Sequence, residues 1–458
     1  MAVQALKRAR VESPPEWGIE PVPASSRILG FLDYFALWSS LGVGLLVLLA
    51  GTLLVPGLGF GQALLAIVIG TLIGNLLLAL AGSIGSDTGV PTMVLYRPAL
   101  GIRGSYLATL LNVIQLIGWG AFEVFIMGRA ASGISKTLFG VELLVPWMLL
   151  FAAVATLLAI GGPLVVVRRW LRRFAIWLVY GSALYLTWYL ATHYDIRALL
   201  AAPGDGKLPF WLGVDLVIAM PVSWLPLVAD YNRFARDTGS AFRGTYIGYF
   251  IANVWFYALG ALFVLALKTT DLVPAIMSVA GGWAALVLLL VDETDNAFAN
   301  IYSTAVSVQN VFPRAGQRWL AVLVGGVCFV LAVTADVARY EIFLFLIGSF
   351  FVPLFGVLAS DYFLVRRQYD TTQLYREGGA YWYGGGVHWP GLLSWALGFL
   401  VYQWIVPTGI PGWTAGLAAL FRWLHLPFPL STSLPWLGAS LPSFLVSLGL
   451  YVVLRRRR

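Results

Sequence analysis

Charge is what this chain has little of. Only 11% of its 458 residues are Asp, Glu, Lys or Arg, whereas 60% are hydrophobic; soluble proteins carry about 25% charged residues. So few charges cannot cover a water-exposed surface, which excludes an ordinary soluble globule and points to a polytopic membrane protein. Cysteine is nearly absent: a single residue, Cys328, permits no intrachain disulfide and leaves the redox compartment unread. The three histidines, His193, His388 and His425, fall in expected loops or at their edges. A membrane metallohydrolase needs clustered ligands on one helix face, in the manner of H-E-x-x-H, so the chain does not read as an enzyme. There is no G-x-x-x-x-G-K-[ST] run either, and neither a P-loop nor a cofactor is expected. Residues 1–27 are polar and contain prolines, unlike the apolar core of a cleavable signal peptide.

What is present in quantity is apolar sequence in lengths that span a bilayer, about 20 residues each. Such segments fall at roughly 31–54, 60–84, 104–128, 143–167, 171–191 and 211–230, then at 244–267, 278–308, 318–335, 341–364, 389–407 and 436–454. Residues 410–430, aromatic and bounded by prolines, read as a loop with interfacial character. Twelve spans put both termini on one side. With that alternation, 22 of the 29 basic residues share the side of the termini, among them Lys7, Arg8, Arg10, Arg168, Arg169, Arg172, Arg173, Arg233, Arg366 and the terminal arginines. The asymmetry predicts cytoplasmic termini. It also explains the formal charge of +8 as topology, with no nucleic-acid partner.

Two spans are interrupted. The first contains Trp38-Ser-Ser-Leu-Gly-Val-Gly44, and the sixth contains Ala219-Met-Pro-Val-Ser-Trp-Leu-Pro-Leu227. Each proline removes a backbone donor, so freed carbonyls there need a partner such as a cation or water. Gly and Pro also merely kink membrane helices. A matched pair at equivalent places in two halves, however, is the mark of a transporter built from inverted repeats.

Polar side chains mark two more spans. In the third, Asn112, Gln115, Trp119 and Glu123 lie on one stripe. Asn112 and Gln115 are read as interhelical hydrogen-bonding residues. Trp119 one turn from Glu123 suits a planar, hydrogen-bonding ligand, against the alternative of a core tryptophan. The eighth span carries Val291-Asp-Glu-Thr-Asp-Asn-Ala-Phe-Ala-Asn300. An ionised carboxylate at mid-membrane costs roughly 2.5–3.5 kcal/mol on insertion scales, so several together imply a cavity or a bound cation. At 100° per residue, Glu293, Asn296 and Asn300 lie within about 60° of one another, and Val291, Thr294 and Asp295 fall on another flank. The first face suits an amide-like ligand and the second a hard cation. The alternative is a shortened helix with Asp292 and Glu293 at the interface.

With these residues in view, the chain resembles the nucleobase:cation symporter-1 family, which includes purine–cytosine permeases, hydantoin transporters and hydroxymethylpyrimidine permeases. The resemblance runs through Gly18-Ile-Glu-Pro-Val-Pro23, Leu37-Trp38, Gly89-Val-Pro-Thr92, Arg97-Pro98, Gly101-Ile-Arg-Gly104, Gly118-Trp119, Ser223-Trp224-Leu-Pro and Ala229-Asp-Tyr231. It implies an all-α protein with a five-plus-five inverted-repeat core, the fold of sodium-coupled amino-acid transporters, and two further helices. The corresponding divisions are a tail over 1–30, repeats over 31–192 and 211–365, and the added helices with the C-terminal tail over 366–458.

It also implies roles. Trp119 and Trp224 match the aromatic side chains that sandwich a planar substrate, with Ser223 beside them. Glu123, Asn296 and Asn300 match residues that bind its polar edge. Carbonyls near Ser39 to Gly42, the Val291 carbonyl, Thr294 and Asp295 match a cation site. Glu123 stands where an amide often sits and, ionised, accepts hydrogen bonds only, favouring an edge with adjacent N–H donors. Asp295 stands where a hydroxyl is typical, leaving Na⁺ and H⁺ both open as the coupling ion. Asp292 and Glu293 have no assigned part. The implied function is import of a nucleobase by a monomeric symporter of the plasma membrane. The alternatives are a hydroxymethylpyrimidine (thiamine-precursor), allantoin or hydantoin permease, and, from another class, a channel or a sensor.

Overall fold

The computed structural model describes residues 17–163, 176–269, 271–334 and 339–456. Lys7, Arg8, Arg10, Arg168, Arg169, Arg172, Arg173 and the last two arginines lie outside them. So do the end of the fourth expected span and the start of the fifth. Among the described residues there is no β-strand, only isolated bridges at Leu29–Ala235 and Gly384–Val387.

The principal helices are α1 (Phe31–Leu41), α2 (Leu45–Thr52), α3 (Phe60–Thr88), α4 (Ser105–Phe139), α5 (Leu144–Gly161), α6 (Ile176–His193), α7 (Phe210–Ser223) and α8 (Val228–Asn232). They continue with α9 (Thr238–Leu267), α10 (Gly282–Val311), α11 (Gln317–Ala332), α12 (Tyr340–Ala359), α13 (Trp389–Ile405), α14 (Pro411–Trp423) and α15 (Ser440–Arg456). The expected spans overlap these helices, the first and sixth lying on two each. Five described helices are long and apolar enough to cross a membrane alone, or six when α1 and α2 count as one bent span.

Residues 411–423 differ from the sequence expectation: they form α14 instead of a loop. Pro411 occupies the first turn, where its fixed φ favours a helix and its missing N–H costs nothing. The third span is also longer than hydropathy suggests. Arg129, just past the expected end, pairs with Asp271 at 2.9 Å, and the helix runs on as far as Phe139.

Both expected interruptions are real. The first span bends by 56° between α1 and α2. The sixth breaks between α7 and α8, just after Pro221. At the start of α1 the Asp33 carboxylate accepts the Gly30 N–H at 3.0 Å, satisfying a donor that the helix leaves unpaired.

Packing sorts the helices into two bodies. α1 and α2 pack on α9, α9 on α3, and α3 on α7, which gathers spans one, two, six and seven. α10 packs on α4, α5 and α11, and these pack on one another, which gathers spans three, four, eight and nine. In the first body Gly51 and Gly260 let α2 and α9 meet backbone to backbone, because a Cβ at either would collide with the other helix's main chain. α12, α13 and α15 form a side layer, with α12 against α7.

Segments bearing Arg97, Arg233 and Arg366 meet at one end of the molecule. There the N-terminal segment lies across the bundle: Arg233 donates to the Gly18 carbonyl at 2.8 Å and Tyr375 to the Ile19 carbonyl at 2.6 Å. The final helix brings Arg455 over the ring of Tyr383 at the same end.

Candidate functional site

α10 carries its polar residues inward. Asp292, Glu293, Asp295, Asn296 and Asn300 are all buried, and the helix continues unbroken past them to Val311, so Asp292 and Glu293 do not sit at a helix end. Among the described residues no ion pair involves these carboxyls or Glu123. Buried carboxyls without a cationic side chain must be served by hydrogen bonds or by a ligand.

Some of those hydrogen bonds come from the break in the first span. The Ser40 hydroxyl donates to Asp292 at 2.6 Å, and the Leu45 N–H donates to Glu293 at 2.9 Å. The Asn296 amide donates to the Val43 carbonyl at 3.2 Å. Gly44 makes this approach possible: its φ is +140°, and a Cβ there would lie 2.8 Å from a Glu293 oxygen. Leu45 opens α2, so the Glu293 carboxyl sits at the positive end of a half-helix. Asp295 lies within electrostatic reach of Asp292, and both of its carboxyl oxygens are buried without a partner.

The other residues matched to a cation site are placed differently. The Ser39 hydroxyl donates to the Gly248 carbonyl on α9 at 3.1 Å, and its own carbonyl accepts the Gly42 N–H at 3.2 Å. The Thr294 hydroxyl turns back onto the Val291 carbonyl at 2.8 Å. Val291 and Thr294 line a separate apolar cavity of about 400 Å³ against α4 and α5, with Ile134 and Phe151 among its walls. Asp295, Asp292 and Ser40 are thus what the fold brings together at the break.

At the second break the freed carbonyls meet side-chain amides. Gln115 donates to the Ser223 carbonyl at 2.9 Å and Asn112 to the Pro226 carbonyl at 3.1 Å, the two amides being joined to each other at 2.9 Å. The Ser223 hydroxyl is spent on the Met220 carbonyl at 2.6 Å. The interhelical role read for Asn112 and Gln115 is therefore a particular one: they donate to carbonyls in the break between α7 and α8.

Between the breaks lies an enclosed cavity of about 20 Å³, room for about one water. Its walls include Trp119, Glu123, Trp224, Glu293, Asn296 and Asn300, with Ser223 adjoining. All six residues matched to substrate binding thus share one cavity. The tryptophans do not touch each other. Trp119 packs edge-on against Phe343 with centroids 5.2 Å apart, and Trp224 edge-on against Trp38 at 6.1 Å, and both line the cavity. Sequence reasoning gave no part to Glu293, Asp292 or the Ser40 hydroxyl. The signal was there for Glu293, which shares its helix face with Asn296 and Asn300.

Comparisons with known proteins fit this architecture. The family model described as "Permease for cytosine/purines, uracil, thiamine, allantoin" matches residues 21–422. The hydantoin permease of Microbacterium maritypicum is 25% identical over 93% of this chain and 89% of its own length. The cytosine permease of Escherichia coli K12 is 25% identical over 84% and 88% respectively. Among solved structures, the nucleobase-cation-symport-1 transporter Mhp1, in a closed conformation with bromovinylhydantoin bound, superposes with a TM-score of 0.82 at 21% identity, over 97% of this chain and 95% of that one. Its inward-facing form gives 0.75. With its broken first and sixth spans, the cavity between them and a family match over most of its length, this chain belongs to the nucleobase-cation-symport-1 family of cytosine, purine, uracil, thiamine and allantoin permeases.

Proposed function

We propose that this chain imports a nucleobase-type planar heterocycle together with a cation, Na⁺ or H⁺. The observation that carries the reading is the cavity that two tryptophans line together with carboxyl and amide groups. Stacking on an aromatic side chain is worth about 1–3 kcal/mol per base and tolerates any flat ring. Selection therefore falls to the polar edge readers Glu123, Asn296 and Asn300. The cation is taken at the first break, where Asp295 and Asp292 put carboxyl oxygens beside Ser40. Both sites share α10 and the bend of the first span, so occupancy of one alters the geometry offered to the other, which is what coupling requires.

Access alternates as the body of α1, α2, α3, α7 and α9 rocks against the body of α4, α5, α10 and α11. The end bearing Arg97, Arg233 and Arg366 faces the cytoplasm, and the chain works as a monomer in the plasma membrane. The test is uptake by the full chain in liposomes, with labelled guanine, cytosine, hydroxymethylpyrimidine, allantoin and hydantoin in competition, under a Na⁺ gradient or a pH gradient. Saturable, gradient-driven uptake of one ring class is expected. Ion conduction without saturable uptake would instead make the protein a channel.

A further inference from the structure

The cavity walls carry more buried acceptors than buried donors. Three buried acceptor atoms lack a partner: Glu123 Oε2, Glu293 Oε1 and Asn296 Oδ1; the buried donor without one is Trp119 Nε1, and the Asn300 amide adds both a donor and an acceptor. The break in the first span sets two of these orientations. Leu45 N–H takes Glu293 Oε2 at 2.9 Å and leaves Oε1 free. The Val43 carbonyl takes the Asn296 amide N–H at 3.2 Å and leaves its oxygen toward the cavity. Glu123 and Glu293, from α4 and α10, line the same cavity, so one ligand edge can touch both.

No Lys, Arg or His stands among the lining residues. Leaving buried acceptors unmade is costly, and a single water brings only two donors to three acceptors. A ring edge that sets an amino group beside a ring N–H brings three hydrogens in line. A carbonyl in place of that amino group would put a further acceptor against the two carboxyls.

We infer that Glu293 is a specificity residue of this permease, which with Glu123 clamps an amidine-type edge, the amino group and adjacent ring N–H of a 2-aminopurinone or 2-aminopyrimidinone. The inference rests on the reading of the cavity as the heterocycle site. It adds a residue and an edge chemistry that this reading does not supply.

The test is equilibrium binding to the purified full chain, followed by tryptophan fluorescence, with ring pairs that differ only at that edge: guanine against xanthine, and isocytosine against uracil. The wild type is expected to prefer the amino member of each pair by about tenfold or more, the usual value of a charged hydrogen bond. Glu293→Gln keeps a carbonyl for the Leu45 N–H and is expected to erase most of that preference while binding xanthine and uracil at least as well. Glu123→Gln is expected to act in the same direction. An unchanged preference in folded Glu293→Gln overturns the role of Glu293. If that variant does not fold, the wild-type ranking decides, and equal binding of guanine and xanthine overturns the clamp. Failure of every base to bind the wild type refutes the heterocycle reading itself.

Discussion

The two helix breaks look alike in sequence and differ in what serves them. At the sixth span, Asn112 and Gln115 meet the carbonyls of Pro226 and Ser223, and the break is closed by neutral amides on the opposing body. At the first span, the partners on α10 are Asp292, Glu293 and Asn296, and both oxygens of neighbouring Asp295 remain unpartnered. One break thus has its carbonyls saturated by amides, with Gln115 Oε1 left over, and the other keeps surplus negative capacity. A broken membrane helix is not by itself an ion site; it becomes one where the opposing helix brings more acceptors than the break has donors.

The comparison can be broken at its charged end first. Asp295→Ala should reduce gradient-driven uptake and free what remains from its ion dependence, by a factor within the 5- to 150-fold span of typical coupling between sites. Uptake in liposomes with and without the gradient measures it, and retained ion dependence would move the cation elsewhere. At the saturated end, Gln115→Leu strands the Ser223 carbonyl and one side of Asn112. That should cost about 1–3 kcal/mol of stability, seen as a lower melting temperature in detergent, with ion dependence intact. Loss of ion dependence there would mean that both breaks bind the cation. The smallest effect is expected from Thr294→Val. The hydroxyl serves its own helix at Val291, so the ion concentration for half-maximal uptake should shift less than about twofold, or ~0.4 kcal/mol. A tenfold shift would return that hydroxyl to the cation site.

Much of the site is legible in the amino-acid sequence. Trp119, Glu123, Trp224, Asn296 and Asn300 stand out because aromatic, acidic and amide side chains in the middle of apolar spans are expensive, and the fold gathers all five in one cavity. Glu293 is harder to place. Its face on α10 is visible on a helical wheel, but its acceptor role depends on the Leu45 N–H, which only the bend of the first span exposes. Thr294 makes a local contact that the wheel does not show. A helical wheel sets it on a flank with Asp295, while in the folded protein α4 and α5 border that flank and the hydroxyl folds back on its own helix. The segment 411–423 is a helix where a loop is expected, because a window sum of hydropathy does not register a proline that opens a helical turn.

By itself the sequence determined the membrane class, the two interruptions and the polar stripes of the third and eighth spans. These follow from local properties: hydropathy over about 20 residues, the missing N–H of proline, and the 100° step of a helix. Only the tertiary structure decided which break is charged and which is neutral, and which carboxyl lines the cavity and which meets Ser40. Those depend on how each helix is turned toward its neighbours. The contacts that settle it, Ser40 with Asp292 and Leu45 with Glu293, join residues about 250 positions apart, beyond the reach of any local pattern.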